Sequence, residues 1–270
     1  MEGIVDRIGA FALVGLVSGF ASGLFGIGGG IVRIPIFIYL LPLLGVAHPV
    51  LMHVAVGTSM ALVLPAAVAS TRKQLSLGNL DLAFFRTWAV GIFVGVLIGT
   101  ALLPSISTEI LQAIFAAFMV TVGIYKGFLK DRIVIAKDAP RGAVKQAMAA
   151  AIGCVAALTG TGGGTVITPV LQAFSVRLEA AIATASATGL VTGTVATIGA
   201  VVSGWHARDL PAYSLGYVDL AIFAAMMPTI LIAAPIGVRA GTWLSESWLR
   251  RIYTVLLFGI AADLIRKLMN

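Results

Sequence analysis

Long apolar runs, broken by short polar stretches, set the pattern of this chain. The runs fall near 8–24, 31–46, 50–70, 82–103 and 109–129, then near 147–159, 165–176, 179–203, 217–240 and 247–268. A membrane-spanning helix needs about 20 such residues. The pattern therefore predicts an all-α polytopic membrane protein of ten helical segments joined by short loops. The first two runs of each half are short and meet at three consecutive glycines, Gly28–Gly30 and Gly162–Gly164.

These glycines belong to a repeat. Gly19, Gly26, Gly28, Gly29, Gly30 and Pro35 return 134 positions later as Gly153, Gly160, Gly162, Gly163, Gly164 and Pro169. A second match, Leu77-Gly78-Asn-Leu-Asp81-Leu82 with Leu215-Gly216-Tyr-Val-Asp219-Leu220, is displaced by 138. The chain thus reads as a duplication: residues 1–129 form a first membrane repeat, 130–146 a cytoplasmic connector and 147–270 a second repeat. The repeat also marks the first 24 residues as part of the structure; they open with Met1-Glu2 and lack the small-residue cleavage motif of a signal peptide.

Short, glycine-interrupted segments at matching positions of two halves are the best sequence pointer to a transporter's binding site. Each pair could form a hairpin that enters and returns, two short crossings, or one broken helix. If the pairs return to their starting side, Arg7, Arg208, Arg266 and Lys267 lie on the side of the termini, and twelve Lys and Arg lie opposite. A single broken helix gives the same twelve-to-four split with parallel halves, so the positive-inside rule does not choose between them. Inverted repeats are favoured, because they readily give alternating access around a site at the midplane.

Composition narrows the class. The chain is 59% hydrophobic and 11% charged, against about a quarter charged for soluble domains, which excludes a soluble globule. The net charge of +7 comes from cations grouped mostly in a few loops, so it reports topology and not nucleic-acid binding. One cysteine, Cys154, leaves no intramolecular disulfide and no Cys/His metal spacing; neither a metal nor a cofactor is expected. Neither glycine triplet is followed by Gly-Lys-Ser/Thr, and no alternation of strands and helices surrounds it, so an NTPase or dehydrogenase is excluded.

Glycine triplets allow close approach of backbone to a ligand and positive φ. A helix starting just after one, at Ile31 or Thr165, offers free N–H groups and a positive dipole end to an anion. Gly28, Gly29, Gly30, Gly162, Gly163, Gly164 and Thr165 are accordingly candidate substrate ligands. Gly15, Gly19 and Gly23, with Gly91, Gly95 and Gly99, are spaced four apart and fit helix packing instead. Arg33 lies three positions past the first triplet inside an apolar segment, where an unpaired charge costs several kcal/mol. It is a candidate fixed cation, and its repeat counterpart is Ile167. His53, Thr58, Ser59, Thr184 and Ser186 could contact an anion, although such hydroxyls often bond back to their own helix. Asp81 and Asp219 sit at segment starts and read as helix caps. No carboxylate lies deep in an apolar run, so coupling would use His53, a titrating substrate, or a sodium ion held by carbonyls and hydroxyls. The same absence argues against a membrane-embedded enzyme.

The repeated Gly-x-Gly-Gly-Gly-x-x-x-x-Pro signature, together with Ala55-Val-Gly57-Thr58-Ser59 and the two Gly-x-x-Asp pairs, resembles the TauE/SafE (TSUP) family of sulfite exporters. That resemblance implies a multi-pass permease of the bacterial inner membrane for sulfite or an organosulfonate. Expected partners are the anion, the lipid bilayer and a coupling proton or sodium ion. The second half departs from the pattern: Thr184-Ala-Ser186 stands where Gly57-Thr58-Ser59 would recur, and no histidine matches His53. The rival reading from the sequence is an anion channel with the same site.

Overall fold

The computed structural model describes residues 2–26, 28–125, 136, 140–243, 251, 254–255, 257–260, 262–263 and 266. Most of them form nine α-helices: α1 Glu2–Phe25, α2 Gly30–Leu43, α3 Leu51–Ser76, α4 Leu82–Leu102, α5 Thr108–Ile124, α6 Gly142–Thr159, α7 Gly164–Ala173, α8 Leu178–Ser203 and α9 Leu220–Trp243. One small antiparallel hairpin, β1 Ser214–Leu215 and β2 Val218–Asp219, precedes α9. Helices α3, α4, α6, α8 and α9 are long and apolar enough to cross a membrane, and shorter apolar helices fill the pattern between them. Of the expected last segment, 247–268, residues 251, 254–255, 257–260, 262–263 and 266 are described and are helical, and about half of the 130–146 connector lies outside the described residues.

Helix directions decide among the three arrangements that the sequence leaves open. Phe11 on α1 packs on Phe37 of α2 with ring centroids 6.4 Å apart. Nearer the turn, Gly29 packs against the carbonyl of Ser18. The two helices are therefore antiparallel, and the chain turns back at the glycines. The second half repeats this: Gly163 packs on Ala156, while Met148, further back on α6, lines one pocket with Val166 and Val170 of α7. Each half opens with a returning hairpin.

The hairpins enter from opposite ends. Gly91, Gly95 and Gly99 of α4 meet Gln146, Ala150 and Cys154 of α6 in that order, so these two helices run parallel. Gly15, Gly19 and Gly23 of α1 likewise meet Met226, Ile230 and Ala234 of α9. Helix α3 runs back along α2, since Arg33 at the start of α2 bonds Ser59 and residues 44–50 join the other ends. Helix α4 reverses again after a five-residue turn, 77–81. It follows that α1 and α3 run one way and α4 and α6 the other. Since α1 and α6 are repeat mates, the halves are inverted.

Small residues make this packing possible. The pairing of α1 with α9 is the counterpart of α6 with α4, and both rest on glycines four apart that let backbones touch. Between them α3 and α8 cross at the centre, with Gly189 on Ala67 and Gly193 on Leu64. Helix α3 is buried along most of its length. The repeated aspartates cap as expected: Asp81 Oδ1 accepts from the Phe84 N–H at 2.9 Å, and Asp219 Oδ1 from those of Ala221 and Ile222 at 2.9 and 3.0 Å.

Candidate substrate site

The two glycine turns meet at the centre of the molecule. A Cβ on Gly30 would run into the Gly160 carbonyl oxygen, and one on Gly28 would come within 2.8 Å of the Thr161 carbonyl oxygen. Both turns need the left-handed region: φ is 70° at Gly28, 75° at Gly29, 77° at Gly162 and 79° at Gly163. Gly29 and Gly163 are the N-cap positions of α2 and α7, and no side chain caps either helix. The N–H groups of the first two residues of each helix, ahead of the Val32 and Val166 N–H groups that bond the Gly29 and Gly163 carbonyls, therefore lie at these turns with the positive dipole ends. Val63, at the middle of α3, wedges against both Gly28 and Gly162.

Helical side chains lean toward the N-terminus of their helix, and this carries the Arg33 guanidinium back over the first glycine turn. Its Nη2 donates to the Gly28 carbonyl at 2.5 Å and the Ser59 carbonyl at 3.2 Å, and its Nε to Ser59 Oγ at 3.3 Å. Ser59 Oγ donates onward to the Gly160 carbonyl at 2.7 Å, tying the second turn to the first. Arg33 is 0% exposed. Its Nη1 has no hydrogen-bond partner and lies over Gly29, where an added Cβ would fall 2.8 Å from it. A guanidinium donates five N–H bonds. A buried cation is thus held by three protein oxygens while one nitrogen is left to donate to something else.

The other expected site residues divide. Gly28, Gly29, Gly30, Arg33, Ser59 and Gly162 meet at the junction; Gly163 is the N-cap of α7, against Thr188, Thr192 and Ala156, and Gly164 and Thr165 follow in the first turn of α7, Thr165 fully buried with its hydroxyl unpartnered. Thr184 and Ser186 turn their hydroxyls to the Ala180 and Ile182 carbonyls of their own helix, at 2.8 and 3.0 Å. Thr58 accepts the Asp219 N–H at 2.9 Å, so its oxygen serves the hairpin before α9. His53 lies toward the end of α3 away from the glycine turns, with Nε2 3.1 Å from the Leu103 carbonyl. Sequence reasoning missed Thr192, whose hydroxyl donates to the Gly162 carbonyl at 2.9 Å, and the Gly160 and Thr161 carbonyls. A signal existed: Thr184, Thr188 and Thr192 recur every four residues on one face of α8.

Two clefts approach from the ends. One of about 330 Å³ is lined by Gly23, Gln74, Asn79, Glu179, Ile182 and Gly241, and Ile182 packs on Gly26 at the start of the first glycine turn. At the opposite end a shallower cleft of about 400 Å³ is lined by His48, His53, Ser105 and Glu109. The first cleft opens at the end that carries Arg72, Lys73, Arg86, Arg141, Lys145, Arg177 and Arg239; the other end carries Arg208 and, at the start of α1, Arg7.

Inverted repeats whose broken segments converge at the middle of an all-α bundle define a multi-pass membrane transporter. The sequence places it further: the profile of the family described as Sulfite exporter TauE/SafE matches residues 11–264, and the chain belongs to that family. A "Probable membrane transporter protein" of Haemophilus influenzae is 31% identical over 257 residues, covering 94% of this chain and 97% of the relative. A protein of the same description in Methanocaldococcus jannaschii is 26% identical, covering 91% and 90%. One in Bacillus subtilis is 23% identical over 75% of this chain and 81% of its own length. No solved structure matches the chain significantly.

Proposed function

We propose that the protein is a secondary carrier that exports a small sulfur-containing anion, such as sulfite or an organosulfonate, across the bacterial inner membrane. The observation that carries this reading is the unpartnered Nη1 of Arg33, buried between two uncapped helix starts. Fixed positive charge, free N–H groups and glycines that admit close approach all favour a compact anion. Gly28, Gly29, Gly30, Arg33, Ser59, Gly162, Gly163, Gly164 and Thr165 form its seat. The family description supports the sulfur cargo. One cleft is bordered by Ile182, which packs on the first glycine turn, while the cleft at the other end is lined by His48, His53, Ser105 and Glu109, away from both turns; a site approached from one end suits a carrier better than a channel. The Lys- and Arg-rich end is cytoplasmic by the positive-inside rule, so cargo enters from the cytoplasm.

The test is thermal denaturation of the detergent-purified protein with sulfite, sulfate, thiosulfate, sulfoacetate and phosphate, each added separately. A ligand that binds only the folded state stabilises it by RT ln(1 + [L]/Kd), about 2.7 kcal/mol at a hundredfold excess over Kd. The expected result is stabilisation by a sulfur anion that is lost in Arg33→Ala and strongly reduced in Arg33→Lys. Absence of any shift with all five anions, or an Arg33→Ala protein that reaches the membrane and exports sulfite at the normal rate, overturns the reading.

A further inference from the structure

The pseudo-symmetry that relates the halves also shows where they differ. Helices α3 and α8 are both 26 residues long and begin 127 positions apart, the glycine turns are 134 apart, and α4 and α9 begin 138 apart. Applied to the open cleft, these offsets match Gly23 with Ala157, Glu179 with Met52, Ile182 with Ala55, and Gly241 with Leu103. The counterparts are sealed: Met52 and Ala55 are 0% exposed, and Ala157 and Leu103 are 1% exposed. At the other end these corresponding positions are closed, and the cleft there is lined instead by His48, His53, Ser105 and Glu109.

The link between α8 and α9 packs on α3 at this end. Sixteen residues, 204–219, stand there, whereas five, 77–81, join α3 to α4. In the short link Leu77 and Asn79 border the open cleft. In the long one Tyr217 folds inward: its backbone lies against Gly57 of α3 and Gly204, its N–H donates to the Ala200 carbonyl at 3.1 Å, and its ring packs on His53 at 5.0 Å between centroids. The Asp219 N–H is held by Thr58 Oγ1 at 2.9 Å. His53 Nε2 in turn donates to the Leu103 carbonyl, latching α3 to the end of α4. These contacts tie the link to α3 and α8, and α3 to the end of α4.

We propose that residues 204–219 are the gate of the carrier at the end opposite its Lys- and Arg-rich face, with Tyr217 as the plug and Thr58 and His53 as its latches. The open cleft past Asn79 and Glu179 is the entrance, and this structure is the inward-open state. When the halves exchange conformations, Tyr217 withdraws from Gly57 and Gly204 and the sealed counterpart of the cleft opens. The assignment deepens the carrier reading and rests on it for its purpose.

Its test needs no cargo. In a Cys154→Ser background, single substitutions Asn79→Cys and Met52→Cys are exposed to a membrane-impermeant methanethiosulfonate reagent, in sealed vesicles of each orientation. The cysteine at 79 is expected to react from the Lys- and Arg-rich side and the one at 52 to be protected. Adding Tyr217→Ala should raise labelling at 52 from the opposite side about tenfold, as when a conformer populated at a few per cent becomes a major one. Tyr217→Phe, which keeps the ring, should leave it protected, and Thr58→Val should raise it in the same direction as Tyr217→Ala. Labelling at 79 that persists from the Lys- and Arg-rich side, lowered only by the share of molecules that have left the inward-open state, reports that each variant is folded. Fast labelling at 52 in the parent, or no increase with either Tyr217→Ala or Thr58→Val, overturns the gate. A protein that no anion stabilises but that keeps this labelling pattern loses its cargo assignment and retains its gate.

Discussion

Arg33 is fully buried with no carboxylate paired to it among the described residues, and the chain meets its demand with two backbone carbonyls and the Ser59 hydroxyl. A lysine would present a single point charge, whereas the guanidinium fork reaches Gly28 and Ser59 together. Ser59 is the joint of this network, since it accepts from Arg33 and donates to Gly160 across the repeat boundary. Ser59→Ala therefore leaves the Gly160 carbonyl and Arg33 Nε without partners. A loss of about 1–3 kcal/mol is expected for such stranded buried groups, read as a lower midpoint of thermal denaturation in detergent; an unchanged midpoint would mean that the bond is not made. Arg33 was legible in the sequence because a charge inside an apolar run stands out. Thr192 was marked only by its four-residue spacing with Thr184 and Thr188, which shows a face of α8 and not that its partner is a carbonyl thirty residues away. Thr184 and Ser186 look the same in sequence and satisfy themselves on their own helix.

At the scale of elements, the glycines fall into two kinds with different tolerances. Those in the turns are needed for positive φ, and those spaced four apart on α1 and α4 for contact between backbones. A Cβ at Gly95 would collide with the Ala150 carbonyl, while one at Gly9 would meet nothing within 4 Å. Gly95→Val is expected to destabilise by about 1–3 kcal/mol or more through overpacking. Gly9→Ala should be neutral or gain about 0.5–1 kcal/mol from helix propensity. Equal denaturation midpoints for the two variants would refute a close α4–α6 seam. The spacing of four made these seams readable in advance. Helix starts were less so: α6 begins at Gly142, ahead of the apolar run expected from 147, because Lys145 and Gln146 are tolerated at a helix end. Gln146 even ties α6 to α4 by donating to the Thr87 carbonyl at 2.9 Å.

For the whole molecule, the duplication was plain in the sequence, but the relative orientation of its halves was not. Counting cations gives twelve against four whether the paired segments return or continue, because the change that moves Arg7, Arg208, Arg266 and Lys267 to the majority side moves Arg177, Arg239, Arg250 and Arg251 to the minority side. Only the antiparallel contact of Phe11 with Phe37, and the parallel runs of α1 with α9 and α4 with α6, make the halves inverted. The site depends on this outcome. Two hairpins entering from one side would lie at equal depth side by side, whereas entering from opposite sides brings their helix starts tip to tip at the middle. The C-terminal ends of α3 and α8 are repeat mates, so inverted halves place them on opposite sides of the membrane and parallel halves on the same side. Ser76 and Trp205, both exposed at those ends, report the difference. In the Cys154→Ser background, Trp205→Cys is expected to react with an impermeant maleimide in intact cells, and Ser76→Cys only after permeabilisation. Reaction of both from one side would make the halves parallel and remove the physical basis for a shared anion seat between their glycine turns.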